Sequence, residues 1–594
     1  MSKLTTLKSI TTKKELADLL EIKRSNLTYT LYVLKPSTQY FQFQIPKKNG
    51  GFRTIDAPAK RLKDIQSKLS DLFLDCIDEI NKGKEKNQHN AKHGIHPYPM
   101  LSHGFSRKKS IITNALMHVN NKNVLNLDLD DFFDSFNFGR VRGFFIKNRN
   151  FELHPDIATV IAQIACYNNK LPQGSPCSPV ITNLITHSLD IKLASLGRRY
   201  SCTYSRYADD ITFSTREEVF PHQLMAEDNG KYTPGKRLRR EIESSGFTIN
   251  SKKTRIQYKD SRQDVTGLIV NKKPNIKKEY WRTAKSQCHS LFRTGTFYKH
   301  TDQGMAIGNI NELEGQLNFI DQVDFFNRLR QKPPLNPLYK LENHRKNTSN
   351  LLTGREKTFS RFLFYRYFYG NSKPTILCEG KTDNVYLKSA INVLQDHYPR
   401  LAKSKSKHGE YKPIVHFFNY SKRTRFLLEL FGGADYLKGF VENFQKNHSF
   451  YKAPKPKNPV ILLLDNDSGS NGIINLIKGL RTTTIHPSTT KKDDIKNADF
   501  IHIMHNLYLV LTPLNGSNGS SDTAIEDLFD ATTKSIKVGG KSFNPGKPDT
   551  SKEYGKEIFA NRVVKEKKSS INFDGFKPLL NRISAVIEHY SKHT

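Results

Sequence analysis

The stretch Tyr204-Ser205-Arg206-Tyr207-Ala208-Asp209-Asp210-Ile211-Thr212-Phe213-Ser214 constrains this 594-residue chain more than any other. It reads as two short β-runs meeting at Ala208-Asp209, with Ile211 and Phe213 alternating on one face of the second run. Such a hairpin lifts two adjacent carboxylates, Asp209 and Asp210, onto its tip. Neighbouring acids at a tight turn repel each other unless a cation or basic group stands against them. The chemistry this suits is a divalent-metal site for phosphoryl transfer. The plain alternative is a polar hairpin turn, in which Asp is common.

Further acids stand upstream. Val124 to Asp130 alternates strictly, so Leu125, Leu127 and Leu129 face a core while Asn126, Asp128 and Asp130 face the other way. Like charges at i and i+2, followed at once by Phe132 and Phe133, suit the edge of an active site better than a plain amphipathic strand. The spacing leaves open which of Asp128 and Asp130 is the ligand. Leu171-Pro172-Gln173-Gly174-Ser175-Pro176-Cys177 is a bend leading into a helix pattern through Val180, Leu184, Leu189 and Leu193. It is either a simple loop–helix junction or a helix start able to hold a template or nucleotide. Lys252 and Lys253, after Gly246 to Asn250, include one lysine placed to meet a phosphate. Asp264 to Asn271 forms a short strand-pair element.

Composition says what such a site would work on. Lys and Arg number 94 against 57 Asp and Glu, a net charge of +37, which predicts a polyanionic partner, nucleic acid first. No apolar stretch is long enough to span a bilayer, and the opening reads as a short helix around Lys13 to Lys23 rather than a signal peptide. Six scattered cysteines (Cys76, Cys166, Cys177, Cys202, Cys288 and Cys378) form no Cys-x-x-Cys pair and fit a reducing cytoplasm. Ile45 to Ile55 reads as two β-runs around a basic Asn49-Gly50-Gly51 turn that brings Lys47, Lys48 and Arg53 near phosphates, or simply into solvent. A helix is expected from Ala59 to about Ile80, then a polar loop over 81–99 whose His89, His93 and His96 lack a ligand pattern. From Lys272 to about Leu329 a basic helical pattern sets Lys277, Lys278, Arg282, Lys285 and Arg293 among Tyr280, Trp281 and Phe292. That suits a nucleic-acid groove, or a core in which the aromatics are simply buried.

Taken in order, these segments resemble a reverse transcriptase over roughly residues 20 to 330. Asn126 to Phe133 is similar to its first metal-binding block and Pro172 to Pro176 to its template-positioning block. Tyr207-Ala208-Asp209-Asp210 is similar to its second metal-binding block, and Asn250 to Thr254 and Gly267-Leu268 to later ones. Asn114-Ala115-Leu116-Met117-His118, Val265-Thr266-Gly267 and His103-Gly104-Phe105 look like the motifs of bacterial retron reverse transcriptases; Ser175 and Cys177 stand where those often carry Ala and Thr. The resemblance implies that Asp128, Asp209 and Asp210 hold two Mg²⁺ ions, one activating the primer hydroxyl and one stabilising the leaving pyrophosphate. It implies that Phe133 crowds a ribose 2′-OH, and that Arg53, Gln173, Gly174, Tyr207 and Lys253 meet nucleotide or template. It links Asn114, His118, Val265, Thr266 and Gly267 to recognition of a partner noncoding RNA. It also implies DNA synthesis from the 2′-OH of a guanosine in that RNA, giving a branched RNA–DNA product (msDNA).

A new pattern begins at Pro374. Thr375-Ile376-Leu377-Cys378 is a short strand ending at Glu379-Gly380, and a helix follows. Val460 to Leu464 is an unbroken apolar run, as in parallel sheets, and it ends in Asp465-Asn466-Asp467. A third run spans Leu507 to Leu511. Ligands of open α/β sheets gather beyond the carboxyl ends of strands, so Glu379, Asp465 and Asp467 would converge there. The plain readings are a turn or cap for Asp465-x-Asp467 and a capping box for Thr523-x-x-Glu526. The order Glu-Gly…Asp-x-Asp over about 373 to 594 resembles a Toprim domain, and Ile525 to Phe529 is similar to a later acidic block of its nuclease branch. This implies Glu379 as general acid/base, one or two Mg²⁺ on Glu379, Asp465, Asp467 and Glu526, and Lys556 against a phosphate.

The expected fold is an α+β right-hand polymerase (fingers, palm, thumb) followed by an α/β Toprim domain with a Rossmann-like parallel sheet. The expected division is a helical lead-in over 1–45, fingers and palm over 46–270, a helical thumb over 271–330, a linker with a helix near Lys357 to Tyr369 over 331–372, and the Toprim domain over 373–594. The expected function is a retron RNA-directed DNA polymerase with a fused metal-dependent nuclease, acting in the cytoplasm in antiphage defence. Expected partners are the noncoding RNA and its msDNA, dNTPs, a DNA or RNA target, no membrane, and a second copy of the chain as an option. The rivals are a mobile-intron-type reverse transcriptase and a nucleic-acid-binding scaffold with a non-catalytic Toprim module.

Overall fold

The computed structural model describes residues 2–47, 50–90, 101–228, 231–301, 304–331, 348–403, 411–514 and 522–593. Lys48 and Asn49 of the basic turn, and His93 and His96, lie outside the described residues. Contacts divide the chain into two compact units, 1–277 and 278–594.

The first unit is built round the strand Asn123–Asp130, whose inward leucines are buried. On one side it pairs antiparallel with Asp210–Thr215, itself the second arm of a hairpin with Cys202–Tyr207. On the other side it pairs with Thr248–Ile249 and Arg255–Tyr258. Helices Lys60–Asn90, Pro155–Ala165 and Ser178–Arg199 supply the rest of the core, with Phe73, Phe145, Phe151 and Phe213 in one apolar cluster. The helix from Lys60 runs to Asn90, ten residues past its expected end. Residues 82–88 are mostly Lys, Glu and Gln, good helix formers whose propensity favours continuing the helix. Ahead of it, Tyr40–Pro46 and Phe52–Pro58 form an antiparallel hairpin.

The second unit opens with helices Lys278–Thr294 and Ile310–Leu329, the segment the sequence assigns to a thumb. They pack within this unit. Phe292 lies edge-on to Phe450 and Tyr451, and its carbonyl accepts from the Lys452 N–H (2.9 Å). Buried Arg328 pairs with Glu356, and Arg423 bridges Asp321 and Glu356, reaching the latter at 2.7 Å. The expected helix near 357–369 is Gly354–Phe364, continued by a wider turn to Tyr369, with Phe359, Phe362 and Phe368 buried.

Beyond it lies a six-stranded sheet in the order His416–Phe417, Thr375–Cys378, Val460–Leu464, Leu507–Leu511, Phe500–Met504 and Thr484–His486. The first four are parallel, Phe500–Met504 runs antiparallel to Leu507–Leu511, and Thr484–His486 runs antiparallel to Phe500–Met504. Every residue of Thr375–Cys378, Val460–Leu464 and Leu507–Leu511 is buried, as strands covered on both faces must be.

Candidate functional site

The first site forms where the central strand of unit one meets the Tyr207–Asp210 hairpin. Asp128 stands directly opposite Asp210 in the register, so the strand places Asp128, and not Asp130, beside the tip. Asp130 instead accepts from Asn250 Nδ2 at 2.6 Å. Tyr207 pairs with Asp210, leaving Ala208-Asp209 as a two-residue turn with Ala208 at φ +57°. A left-handed alanine costs roughly 1–2 kcal/mol, so the surroundings must hold it. Three contacts do so. Arg206, fully buried, clamps Asp190 with two bonds (2.7 and 2.8 Å) and donates to the Ala208 carbonyl at 2.9 Å. The Leu129 N–H donates to the Asp209 carbonyl (3.1 Å). Gly104 lies against the turn so closely that a Cβ there would sit 2.7 Å from the Ala208 nitrogen.

The electrostatics are those of acids short of counter-charge. Burial first, and then the charges of Asp209 and Asp128, push the Asp210 carboxyl up to about 7. Burial and Asp128 also raise Asp209. Lys253 Nζ contacts both oxygens of Asp128 (2.9 and 3.0 Å), and that bond raises the lysine. Asp128, Asp210, Tyr207, Lys253, Arg255, Thr266 and Gly267 line a cavity of about 250 Å³.

The other expected residues fall in three places. Arg53 is exposed on the Phe52–Pro58 strand, near enough to Asp209 to offset its rise. That hairpin is locked to the template bend, because the Asp56 N–H donates to the Gln173 carbonyl (2.8 Å) and a Cβ on Gly174 would lie 2.6 Å from the Asp56 carbonyl. Phe133 is half-buried, edge-on to Phe132. Thr266 and Gly267 form a tight turn with positive φ at both residues and reach the cavity. Asn114, His118 and Val265 have no exposed surface. His118 is wedged between Ser205 Oγ and Ser214 Oγ, 2.7 Å from each, one on either arm of the hairpin, and burial pushes it down to about 3. In this position it braces the strands and has no surface to offer a ligand.

The second site lies beyond the carboxyl ends of the parallel strands in unit two. Glu379 follows Thr375–Cys378, with its N–H donating to the Leu463 carbonyl of the next strand (3.1 Å). Asp465 follows Val460–Leu464 and accepts from the Ile525 N–H at 2.9 Å. Glu526 accepts from Lys556 Nζ at 3.0 Å, while Asp527 rather than Glu526 caps the short helix by accepting from the Ala524 N–H (3.0 Å). The capping-box reading of Glu526 therefore gives way to an ion pair with Lys556. Asp467 accepts from the Gly469 N–H at 2.8 Å.

Burial first, then the charges of Asp383, Glu526 and Glu379, push Asp465 up to about 7. Glu379 and Glu526 are raised too, again chiefly by burial. One buried oxygen on each, Glu379 Oε2 and Glu526 Oε1, has no hydrogen-bond partner among the described residues. Sequence reasoning missed Asp383, which is buried, accepts from the Gly380 N–H (2.7 Å) and acts on Asp465 and Glu379. Its signal was the spacing Glu379-Gly380-x-x-Asp383, one helical turn past the strand.

Among the described residues, no three His, Cys, Asp or Glu side chains already close around one point. The donor chemistry at both sites still fits a hard divalent cation. All the donors are carboxylate oxygens, burial and neighbouring acids raise Asp209, Asp210, Glu379, Asp465 and Glu526, and orphaned oxygens remain at the second site.

Comparison with known proteins falls on the first site. The reverse transcriptase (RNA-dependent DNA polymerase) family profile matches residues 45–270. A retron reverse transcriptase from Escherichia coli, Retron Ec86, is 30% identical over 328 residues, covering 53% of this chain and 88% of the relative. Retron Mx65 reverse transcriptase from Myxococcus xanthus is 30% identical over 279 residues, covering 44% of this chain and 58% of the relative. The chain thus spans little more than half the length of that relative. A telomerase structure from Candida albicans aligns at 10% identity over 55% of this chain and 64% of its own, with a TM-score of 0.29, too low to bear on the fold.

Proposed function

The chain belongs to the retron reverse transcriptase family, and on that premise we propose that it copies a partner noncoding RNA into a branched RNA–DNA molecule. The observation that carries this reading is the register that sets Asp128 opposite Asp210, with Asp209 beside it on the turn. Asp128, Asp209 and Asp210 would hold Mg²⁺, as reverse transcriptase domains generally do. When bound, the metal supplies charge that acidifies the primer hydroxyl and offsets charge on pyrophosphate. Lys253 is free to leave Asp128 for a phosphate, since its side chain is half-exposed. Arg53 stands on the Asp209 side, placed for the same anionic ligand. Gln173 and Gly174 hold the hairpin that carries Arg53, fixing the distance between that cation and the acids.

The nucleic acid that copurifies with the full-length chain tests this. A molecule sensitive to both RNase and DNase, with RNA joined through a 2′-OH to DNA, is expected with the wild type and absent with Asp209→Asn/Asp210→Asn. RNA alone, in equal amount with both proteins, refutes the reading.

For the second half we propose a Toprim-like, Mg²⁺-dependent nuclease serving antiphage defence. Glu379 would act as general acid/base, with Asp465, Asp467, Glu526 and the added Asp383 around it. The support is the convergence of acids at the carboxyl ends of two neighbouring parallel strands, together with their raised pKa values. Glu379→Gln and Asp465→Asn are each expected to lower cleavage of DNA or RNA at least about 100-fold, the size of losing several kcal/mol at the transition state. Cleavage at the wild-type rate by Glu379→Gln removes that residue from its role. A wild type that cleaves neither polymer favours the scaffold reading.

A further inference from the structure

We propose that the hairpin face bearing Phe41, Phe43 and Ile45 is a stacking platform for unpaired template RNA, and that it lets the protein copy through base-paired stretches without a helicase. The inference rests on the RNA-copying reading of the first site and adds an activity to it.

Strand geometry sorts the hairpin Tyr40–Pro46/Phe52–Pro58 into two faces. Tyr40 turns inward, stacked on Tyr167 with ring centroids 4.4 Å apart, and its hydroxyl accepts from Gln66 at 2.8 Å. Asp56 is buried on the same face and accepts from Gln42 at 2.8 Å. Phe41, Phe43 and Ile45 alternate with these residues and share the opposite face, where they are 68%, 49% and 44% exposed. Leaving such side chains in water is unfavourable, and a contiguous apolar stripe marks a binding surface.

Charge and position say what covers it. Asp56 is the only acid between Tyr40 and Pro58, so the exposed charges of the hairpin among the described residues, Lys47 and Arg53, are positive. Arg53 stands opposite Ile45 in the register, shares its face, and its charge acts on Asp209. Ile55, opposite Phe43, would lie 2.9 Å from a Cβ on Gly174. The stripe thus borders both the acidic turn and the template bend.

Rings flanked by cations are the means by which proteins hold single strands, with bases on the rings and phosphates on Lys or Arg. Phe41 and Phe43 are about 6.8 Å apart along the strand, the rise of two stacked bases at about 3.4 Å each. Stacking one base on an aromatic ring shifts an equilibrium about tenfold, as much as opening one base-pair step costs. Two rings therefore offset the opening of about two pairs, and a duplex frays onto the platform as copying proceeds.

Primer extension by the full-length protein is compared, at saturating template, on an unpaired RNA and on one carrying a stable hairpin ahead of the primer. Phe41→Ala/Phe43→Ala is expected to stay within about twofold of wild type on the open template, which also shows that it is folded. Its read-through of the hairpin should slow at least about tenfold. Phe52→Ala, on the opposite face beside Pro46, should leave both rates unchanged. Equal slowing on both templates, unchanged read-through by the double variant, or the same loss from Phe52→Ala overturns the proposal. So does light scattering that shows the wild type as an oligomer and the double variant as a monomer, since a second copy would then cover the stripe. A wild type inactive on the open template removes the copying reading, and this inference with it.

Discussion

Replacing Asp209 and Asp210 together by Asn is expected to lower RNA-templated primer extension at least about 100-fold and, in the same protein, to raise thermal stability when Mg²⁺ is left out. The first effect follows if these acids hold the metal that stabilises several kcal/mol of developing charge. The second follows from sign. The folded Asp210 carboxyl titrates near 7, above its ordinary value of 3.8, because burial and two neighbouring acids disfavour its charge. Between roughly pH 4 and 7 the folded state therefore binds more protons than the unfolded one, and stability falls as pH rises through that window. Asn removes the charge and with it the fall. Added Mg²⁺ should stabilise the wild type at pH 8 and leave the double variant unmoved. Primer extension at the wild-type rate by the variant would remove both residues from catalysis.

The second large effect is expected from Asp190→Asn. Asp190 and Arg206 are both fully buried, and the carboxylate also accepts from the Tyr204 hydroxyl at 2.7 Å. Removing one partner of a buried pair strands the other charge, a loss of about 3–5 kcal/mol. Because the same guanidinium holds the Ala208 carbonyl, primer extension should drop alongside stability. The check is denaturant unfolding followed with primer extension under conditions where the variant remains folded. A variant as stable as wild type would mean Arg206 finds another partner.

The parts that were legible in the sequence are those written in local periodicity. Alternating leucines announced the Asn123–Asp130 strand, and the apolar run Val460 to Leu464 announced a strand covered on both faces. The choice between Asp128 and Asp130 was not legible in the alternation, because both lie on one side of the strand; the resemblance favoured Asp128, and the register with Asp210 separates the two. Nothing in Tyr204 to Tyr207 marks Arg206 as buried, since its partner Asp190 belongs to a helix and the pairing exists only in three dimensions. His118 illustrates the converse. Its motif was linked to RNA, and its imidazole spans the two arms of the acidic hairpin, a position set by Ser205 and Ser214 far along the chain. Asp383 was passed over because one acid in the first turn of a helix usually signifies nothing more than favourable dipole charge.

The allegiance of the helices Lys278–Thr294 and Ile310–Leu329 dictates where this protein can be cut. A conventional truncation after residue 331 would keep those helices while deleting Tyr451, Glu356 and Arg423, baring the Phe292 ring and taking Glu356 from Arg328 and Arg423 from Asp321. A shortened enzyme made that way would carry sticky, charge-frustrated helices. Anyone seeking residues 1–331 by themselves must redesign that surface or express the chain whole.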